Sequence, residues 1–287
     1  MDGTRVRVAG LSEVGRVRKI NEDAFVVTDL ATGRPLDPAD ETGELEVGPR
    51  GVLLALSDGM GGHAAGEVAS ALVLDALRAS LAGAPEAEPV EATVTTAIDS
   101  ANSEVRRNAA EDGKRGMGAT LTAVLLRATE AFVVEVGDSR AYLLRGEALR
   151  QLTRDQTLVQ LLVETGALSA EEARTSSRKN ILLQAVGHAD ELKIAISRLK
   201  LRRGDRFLLC SDGLSNGMND DELGRLLAGD EPAAACRRLV DLANERGGSD
   251  NLTAVVAHVK GDGLPEATPA ESIAQTLDVI REFPLPG

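Results

Sequence analysis

The chain has 287 residues, 43% of them hydrophobic, enough to bury a substantial core as one large domain or two small ones. Aromatic residues make up 2%, with no Trp and one Tyr, so the core must be built from Ala, Val, Leu and Ile, and the stacking platforms of single-strand binders are missing. A formal net charge of −13 also excludes a nucleic-acid partner from the expectations, and a protein this acidic that handles phosphate must reverse its sign locally, most simply with bound cations.

In chain order, residues 30–50, with Pro35, Pro38, Pro49 and several acids, read as a loop or extended hairpin between two strands. Residues 52–56 form an apolar, strand-like run. Helical stripes follow: Ala69, Val73, Ala76 and Leu77 share one face, as do Val94, Ile98, Ala101 and Val105. Further strand-like runs cover 121–126, 132–136, 207–210 and 252–259, several of them ending in an Asp-Gly, Gly-Asp or similar turn. Between them, 153–190 is polar and helical in part, and Ala235, Leu239, Leu242 and Ala243 make a third helical stripe. The tail from Gly261 is rich in Pro and Gly, but Ile273, Leu277 and Ile280 keep helical spacing, so part of it is expected to dock on the core. The helices fall into two groups, near 65–110 and 219–245, instead of alternating singly with strands. That grouping predicts an α+β fold with helices layered over antiparallel sheets.

Cys210 ends an apolar run and Cys236 lies in a helical pattern, so both read as small buried hydrophobes rather than a disulfide or a nucleophile. No N-terminal segment has signal-peptide character, and no run approaches the roughly 18 apolar residues of a membrane span. A cytoplasmic protein without a membrane partner is the expectation, and nothing in the sequence calls for an obligate assembly, so a monomer is expected.

Acidic residues stand at strand ends in five places: Glu22-Asp23, Asp58-Gly59, Gly137-Asp138, Asp212-Gly213 and Asp250-Asn251. Singly, each is an ordinary turn signal. Together, at one end of a sheet sandwich, four or five carboxylates would repel unless cations neutralised them, and an all-oxygen donor set selects hard ions such as Mg²⁺ or Mn²⁺. The Gly-x-Gly-x-x-Ala string at 59–64 nearly matches a dinucleotide fingerprint, but the helix after it leads into another helix and not into the second strand of a βαβ unit. No P-loop pattern is present.

The blocks Arg18-Lys19-Ile20-Asn21-Glu22-Asp23, Asp58-Gly59-Met60-Gly61-Gly62-His63, Gly118-Ala119-Thr120-Leu121-Thr122, Gly137-Asp138-Ser139-Arg140, Cys210-Ser211-Asp212-Gly213-Leu214 and Ser249-Asp250-Asn251-Leu252-Thr253 resemble, in order, the metal-dependent protein phosphatase (PPM, type 2C) family. The resemblance covers roughly residues 5–260 and is closest to the small bacterial members that oppose eukaryotic-like Ser/Thr kinases. It implies a phosphatase domain over 1–260, built as a central antiparallel β-sandwich flanked by helix pairs, with a flap subdomain at about 153–190 that borders the active site. Residues 261–287 would be a separate tail, helical in part. Phosphorylated proteins, a Ser/Thr kinase and its substrates among them, are the implied partners. Because the kinase-linked relatives often continue into a membrane span and this chain does not, it resembles the free-standing cytoplasmic form.

The resemblance also assigns roles. Asp58 would bridge two Mn²⁺ or Mg²⁺ ions, with the Gly59 carbonyl on one of them, and Asp212 and Asp250 would complete the other shell. Asp23 and Glu22 would act nearby, mainly through waters. Asp138 with Asp212 would hold a third, weaker ion. Arg18 would hold the substrate phosphate, and His63 would protonate the leaving Ser or Thr oxygen. His63 stands farther past Asp58 than in the eukaryotic members, which have Asp-Gly-His, and the 30–50 insertion is a second departure. His188 and His258 read as a loop and a strand residue without a role. With no Cys in a phosphate-binding loop and no Ser poised beside a His base, direct attack of a metal-activated water fits the inventory. Two readings compete with it: a catalytically silent relative that binds phosphoproteins, which loss of a ligand aspartate would have favoured, and a two-metal phosphodiesterase, which the acidic composition disfavours.

Overall fold

A computed structural model describes residues 3–36, 42–61, 65–110, 116–229, 231–268 and 271–284. The strands are β1 (Arg5–Glu13), β2 (Asp23–Asp29), β3 (Pro35–Leu36), β4 (Gly43–Glu46), β5 (Val52–Met60), β6 (Gly118–Ala119), β7 (Leu121–Arg127), β8 (Glu130–Val136), β9 (Arg140–Arg145), β10 (Ala148–Gln151), β11 (Ala195–Lys200), β12 (Arg206–Cys210), β13 (Leu252–Lys260) and β14 (Leu277–Arg281). The helices are α1 (Ala65–Gly83), α2 (Val90–Ala109), α3 (Leu158–Glu164), α4 (Ala170–Thr175), α5 (Asp212–Ser215), α6 (Asp220–Leu227) and α7 (Pro232–Glu245). One sheet runs β10-β9-β12-β13-β1-β4 and the other β14-β11-β8-β7-β5-β2-β3, with β6 pairing the end of β5; the strand pairs are antiparallel.

The apolar runs read in the sequence are continuous because both faces of each sheet are covered. In β5 and β7, Val52, Leu54, Leu56, Val124 and Leu126 point into the core between the sheets. The alternate residues Leu53, Ala55, Leu121, Ala123 and Leu125 pack under α1 and α2 with Val73, Leu77, Val94 and Ile98. On the far side, Leu208, Cys210, Ala254 and Val256 pack under α6 and α7 against Leu223, Leu239 and Val240. The period-2 geometry of a strand thus splits one apolar run between two cores. The result is the expected α+β fold: helices, sheet, sheet, helices.

Two local expectations give way to different structures. The 30–50 segment is not a hairpin: β3 pairs with β2 in one sheet, whereas β4 pairs with β1 in the other, so each short strand caps a different sheet edge. Residues 37–41 of that segment lie outside the described residues. In the tail, Ile273–Thr276 is one 3₁₀ turn and the chain then adds β14 to the edge of β11. The i, i+4, i+7 spacing of Ile273, Leu277 and Ile280 suits a helix, but β-branched Val279 and Ile280 and the unpaired backbone of β11 favour a strand. The tail is also pinned by Arg145, whose guanidinium donates to both Asp205 oxygens (2.7 and 2.8 Å) and to Thr276 Oγ1 (2.6 Å).

Candidate active site

The acidic turns meet at one end of the sandwich. Asp23 opens β2 and is the cross-strand neighbour of Asp58, near the end of β5. Asp138 lies in the β8–β9 turn, Asp212 begins α5 directly after β12, and Asp250 lies in the turn before β13. All but Asp23 line a cleft of about 460 Å³, together with Arg18, Glu22 and Gly59, with Thr120, Asn180, Leu182 and His188 among the other walls. Gly59 has to lack a side chain, because a Cβ there would stand 2.0 Å from the carbonyl oxygen of Gly66 in α1. Gly137 has φ +110°, which turns the chain so that Asp138 faces inward, and its N–H donates to Gln156 Oε1 at 2.7 Å.

Hydroxyl groups set the carboxylates in place. Thr120 Oγ1 accepts the backbone N–H of Asp58 (2.9 Å) and pairs with Ser139 Oγ (2.8 Å), tying the β5 end to the turn that carries Asp138. Ser57 Oγ donates to the Thr120 carbonyl (2.6 Å) and Thr122 Oγ1 to the Ser139 carbonyl (2.6 Å). A second chain ends on Asp23: Asn21 Nδ2 donates to Ser12 Oγ (2.8 Å), Ser12 pairs with Thr253 Oγ1 (2.7 Å), and Thr253 donates to Asp23 Oδ2 (2.6 Å). Asn251 clamps the loop between β1 and β2: its Nδ2 donates to the carbonyls of Val14 (3.1 Å) and Ile20 (3.0 Å), and its Oδ1 accepts the Glu22 N–H (2.9 Å). Arg18 on that loop donates to Asp250 Oδ2 at 2.8 Å and leaves almost half of its side chain exposed in the cleft.

The electrostatics are those of crowded like charges. Burial holds the Asp58 carboxyl well above the usual carboxylate range, and Asp23, Asp212, Asp138 and Asp250 push it further. Burial likewise raises Asp23, against the Thr253 hydrogen bond and with help from Asp212 and Asp250. Asp138 is raised by burial and by Asp212. Asp212 is raised by burial and then Asp250, with Lys179 and Arg18 offsetting part of the rise.

Among the described residues, no three His, Cys, Asp or Glu side chains close around one point as a ready-made metal cage. A hard cation that keeps most of its water takes only one or two carboxylates from a protein, so a row of carboxylates facing a cleft is sufficient. The donor set fits such ions: it is all oxygen, its members repel one another, and Asp23 Oδ1 is buried without a hydrogen-bond partner.

The structure therefore gathers Arg18, Glu22, Asp58, Gly59, Asp138, Asp212 and Asp250 at one cleft, with Asp23 directly behind Asp58. His63 lies outside the described residues. His258 is a buried residue of β13, as expected, whereas His188 stands in the cleft wall, its Nε2 3.2 Å from the Gly116 carbonyl oxygen. Gly118 makes room for that ring, since a Cβ there would meet His188 Nε2 at 2.5 Å. Sequence reasoning also passed over Lys179, Asn180 and the hydroxyls of Thr120, Ser139 and Thr253. Only the presence of those hydroxyls inside the quoted blocks pointed to them.

The fold is similar to that of solved bacterial Ser/Thr phosphatases. The catalytic domain of PstP in complex with two manganese ions shares 38% identity, with 90% of this chain and 99% of that one covered and a TM-score of 0.74. PstP of Mycobacterium tuberculosis is 40% identical over 259 residues, 88% of this chain, and the chain spans less than half (45%) of that relative's length. The Ser/Thr phosphatase Stp of Listeria monocytogenes is 34% identical over 248 residues, 84% of this chain and 91% of its own length. Residues 33–257 match the protein phosphatase 2C family, and the chain belongs to it. That match begins after Arg18, Glu22 and Asp23.

Proposed function

We propose that this protein hydrolyses phosphoserine and phosphothreonine in proteins at a binuclear Mn²⁺ or Mg²⁺ centre. The observation that carries the reading is the convergence of Asp58, Asp138, Asp212 and Asp250 with Arg18 on one cleft. Asp58, the Gly59 carbonyl, Asp212 and Asp250 would hold the two ions, Glu22 and Asp23 would act through waters, and Asp138 with Asp212 would hold a weaker third. When bound, the ions supply Lewis acidity and an activated water.

Arg18, oriented by Asp250, holds two phosphate oxygens in its planar fork. Hydrolysis would replace the phosphorus bond to the Ser or Thr oxygen with one to a water oxygen; His63 would give the leaving oxygen its proton, and a proton shed by that water would restore His63. Residues 153–190 act as the flap, as Asn180, Leu182 and His188 on the cleft wall support. Residues 1–260 are read as the catalytic domain, with 261–287 as a tail that adds β14 to its sheet. Two free, buried cysteines suit a reducing cytoplasm, and no helix among the described residues is long and apolar enough to cross a membrane. The partners are phosphorylated proteins, a Ser/Thr kinase and its substrates, met by a monomer.

Hydrolysis of p-nitrophenyl phosphate with Mn²⁺, with EDTA and against the bis-ester tests this reading. Mn²⁺-dependent monoester cleavage that EDTA abolishes is expected, and Asp58→Asn or Asp212→Asn should lower kcat by at least about a hundredfold together with the bound metal. No monoester cleavage would leave the silent phosphoprotein-binding relative. Preferential bis-ester cleavage would make the protein a phosphodiesterase.

A further inference from the structure

Among the described residues, five large apolar side chains stand exposed: Val17, Ile20, Ile181, Val279 and Ile280. The last two belong to the edge strand β14. The other three sit on the two loops that supply Arg18, Asn180 and Leu182 to the cleft: Val17 (66% exposed) precedes Arg18, Ile20 (42%) stands two residues after it, and Ile181 (47%) lies between Asn180 and Leu182. Their exposure is built and not frayed. The N–H groups of Arg16 and Val17 donate to the Gly248 carbonyl (2.7 and 3.3 Å), and Asn251 holds the Ile20 carbonyl. On the second loop, the Ile181 carbonyl accepts from Leu158 N–H (2.8 Å), and Ile181 N–H donates to the Arg178 carbonyl (3.1 Å). Apolar groups held out at fixed positions on two loops that line one cleft mark a contact surface.

Charge sets the kind of contact. Arg16, Lys19, Arg178 and Lys179 are exposed on these two loops, and none of them takes part in an ion pair among the described residues. Many other arginines are paired, including Arg7, Arg140, Arg145, Arg154, Arg202 and Arg246. A protein of net charge −13 thus presents cations outside any ion pair, interleaved with Val and Ile, on two loops that line its cleft, Lys179 among them facing Asp212 at longer range. A neutral or basic peptide would use none of those cations, whereas acidic side chains pair with them.

We propose that the 16–20 and 178–181 loops form a rim that selects phosphorylated segments with acidic residues and a branched apolar side chain beside the phosphorylated Ser or Thr. This rests on the phosphatase reading and names the substrate class for it. Each exposed ion pair contributes little, so the selection comes from several of them together with apolar burial against Val17, Ile20 and Ile181, and its charge component weakens with salt.

The test compares two phosphothreonine peptides of equal length, one flanked by Glu and Ile, the other by Lys and Ser, with p-nitrophenyl phosphate as a substrate that has no flanks. The expected result is kcat/KM about tenfold higher for the acidic-apolar peptide, carried mainly by KM. Lys19→Glu combined with Arg178→Glu should collapse or invert that ratio, and Val17→Ser with Ile181→Ser should shrink it; turnover of p-nitrophenyl phosphate shows that each variant is folded. Equal kcat/KM for the two peptides, or variants that leave their ratio unchanged, would overturn the rim. Should wild type fail to hydrolyse p-nitrophenyl phosphate with Mn²⁺, the phosphatase reading falls by itself. Fluorescence anisotropy of the same two peptides then decides the rim: unequal binding supports it, equal binding overturns it.

Discussion

At the scale of single residues, the cleft depends on groups that hold its loops in place. Asn251 is buried and satisfies three backbone groups of the loop that carries Arg18, so it connects the turn before β13 to the phosphate-facing arginine. Asn251→Ala leaves the Val14 and Ile20 carbonyls and the Glu22 N–H without that partner. A loss of about 2–3 kcal/mol in urea denaturation is expected, since each partly buried polar group left unpaired costs on the order of 1–3 kcal/mol. The same variant should raise KM for p-nitrophenyl phosphate more than it lowers kcat, because Arg18 loses its fixed position. Unchanged stability would show that water replaces the clamp. Both the Asn and the neighbouring Asp250 were visible in one sequence block, but only the hydrogen bonds show that Asn251, which also lines the cleft, is the one that holds the loop.

At the scale of elements, β13 carries a titrating group far from the cleft. His258 is flanked across the sheet by Arg7 on β1 and Arg206 on β12. Burial first, then Arg206, Lys260 and Arg7, pull its imidazole down to about 4, against an opposing effect of Glu231, and its Nε2 is buried without a partner. Between that value and the ordinary 6.5 the unfolded chain binds the proton more tightly than the folded one, so stability is lost as pH falls through this window. The free energy of unfolding should fall between pH 6.5 and about 4, and His258→Gln should make the fall shallower in denaturant titrations at several pH values. Parallel curves for the two proteins would assign the fall to other groups. The apolar periodicity of β13 was readable in the chain, whereas the two arginines beside His258 come from strands whose pairing only the sheet register decides.

At the scale of the whole molecule, folding gathers carboxylates that repel one another, as the raised positions of Asp23, Asp58, Asp138 and Asp212 record. A cation that binds this arrangement and not the unfolded chain stabilises it by mass action, by about 2.7 kcal/mol at a hundredfold excess over its dissociation constant. Mn²⁺ should therefore raise the melting temperature in differential scanning calorimetry and EDTA should lower it, with the effect much reduced in Asp58→Asn. A melting temperature indifferent to both would contradict the assignment of a metal centre, whatever the activity.

The sequence alone determined the composition of the layers, because apolar periodicity and helix grouping are local properties of the chain. It also supplied the carboxylates and the ordered blocks that mark the family. It left out the short edge strands inside 30–50 and in the tail, which take their conformation from the sheet they join and not from their own spacing. Tertiary structure decided what faces what: Thr253 reaches Asp23 across 230 positions and Asn251 reaches Ile20 across 231. Convergence of the aspartates, the place of His188 and Lys179 at the cleft, and the exposed rim of Val17, Ile20 and Ile181 all arise the same way. They depend on antiparallel register and on hydrogen-bond partners distant in the chain, which no window of sequence contains.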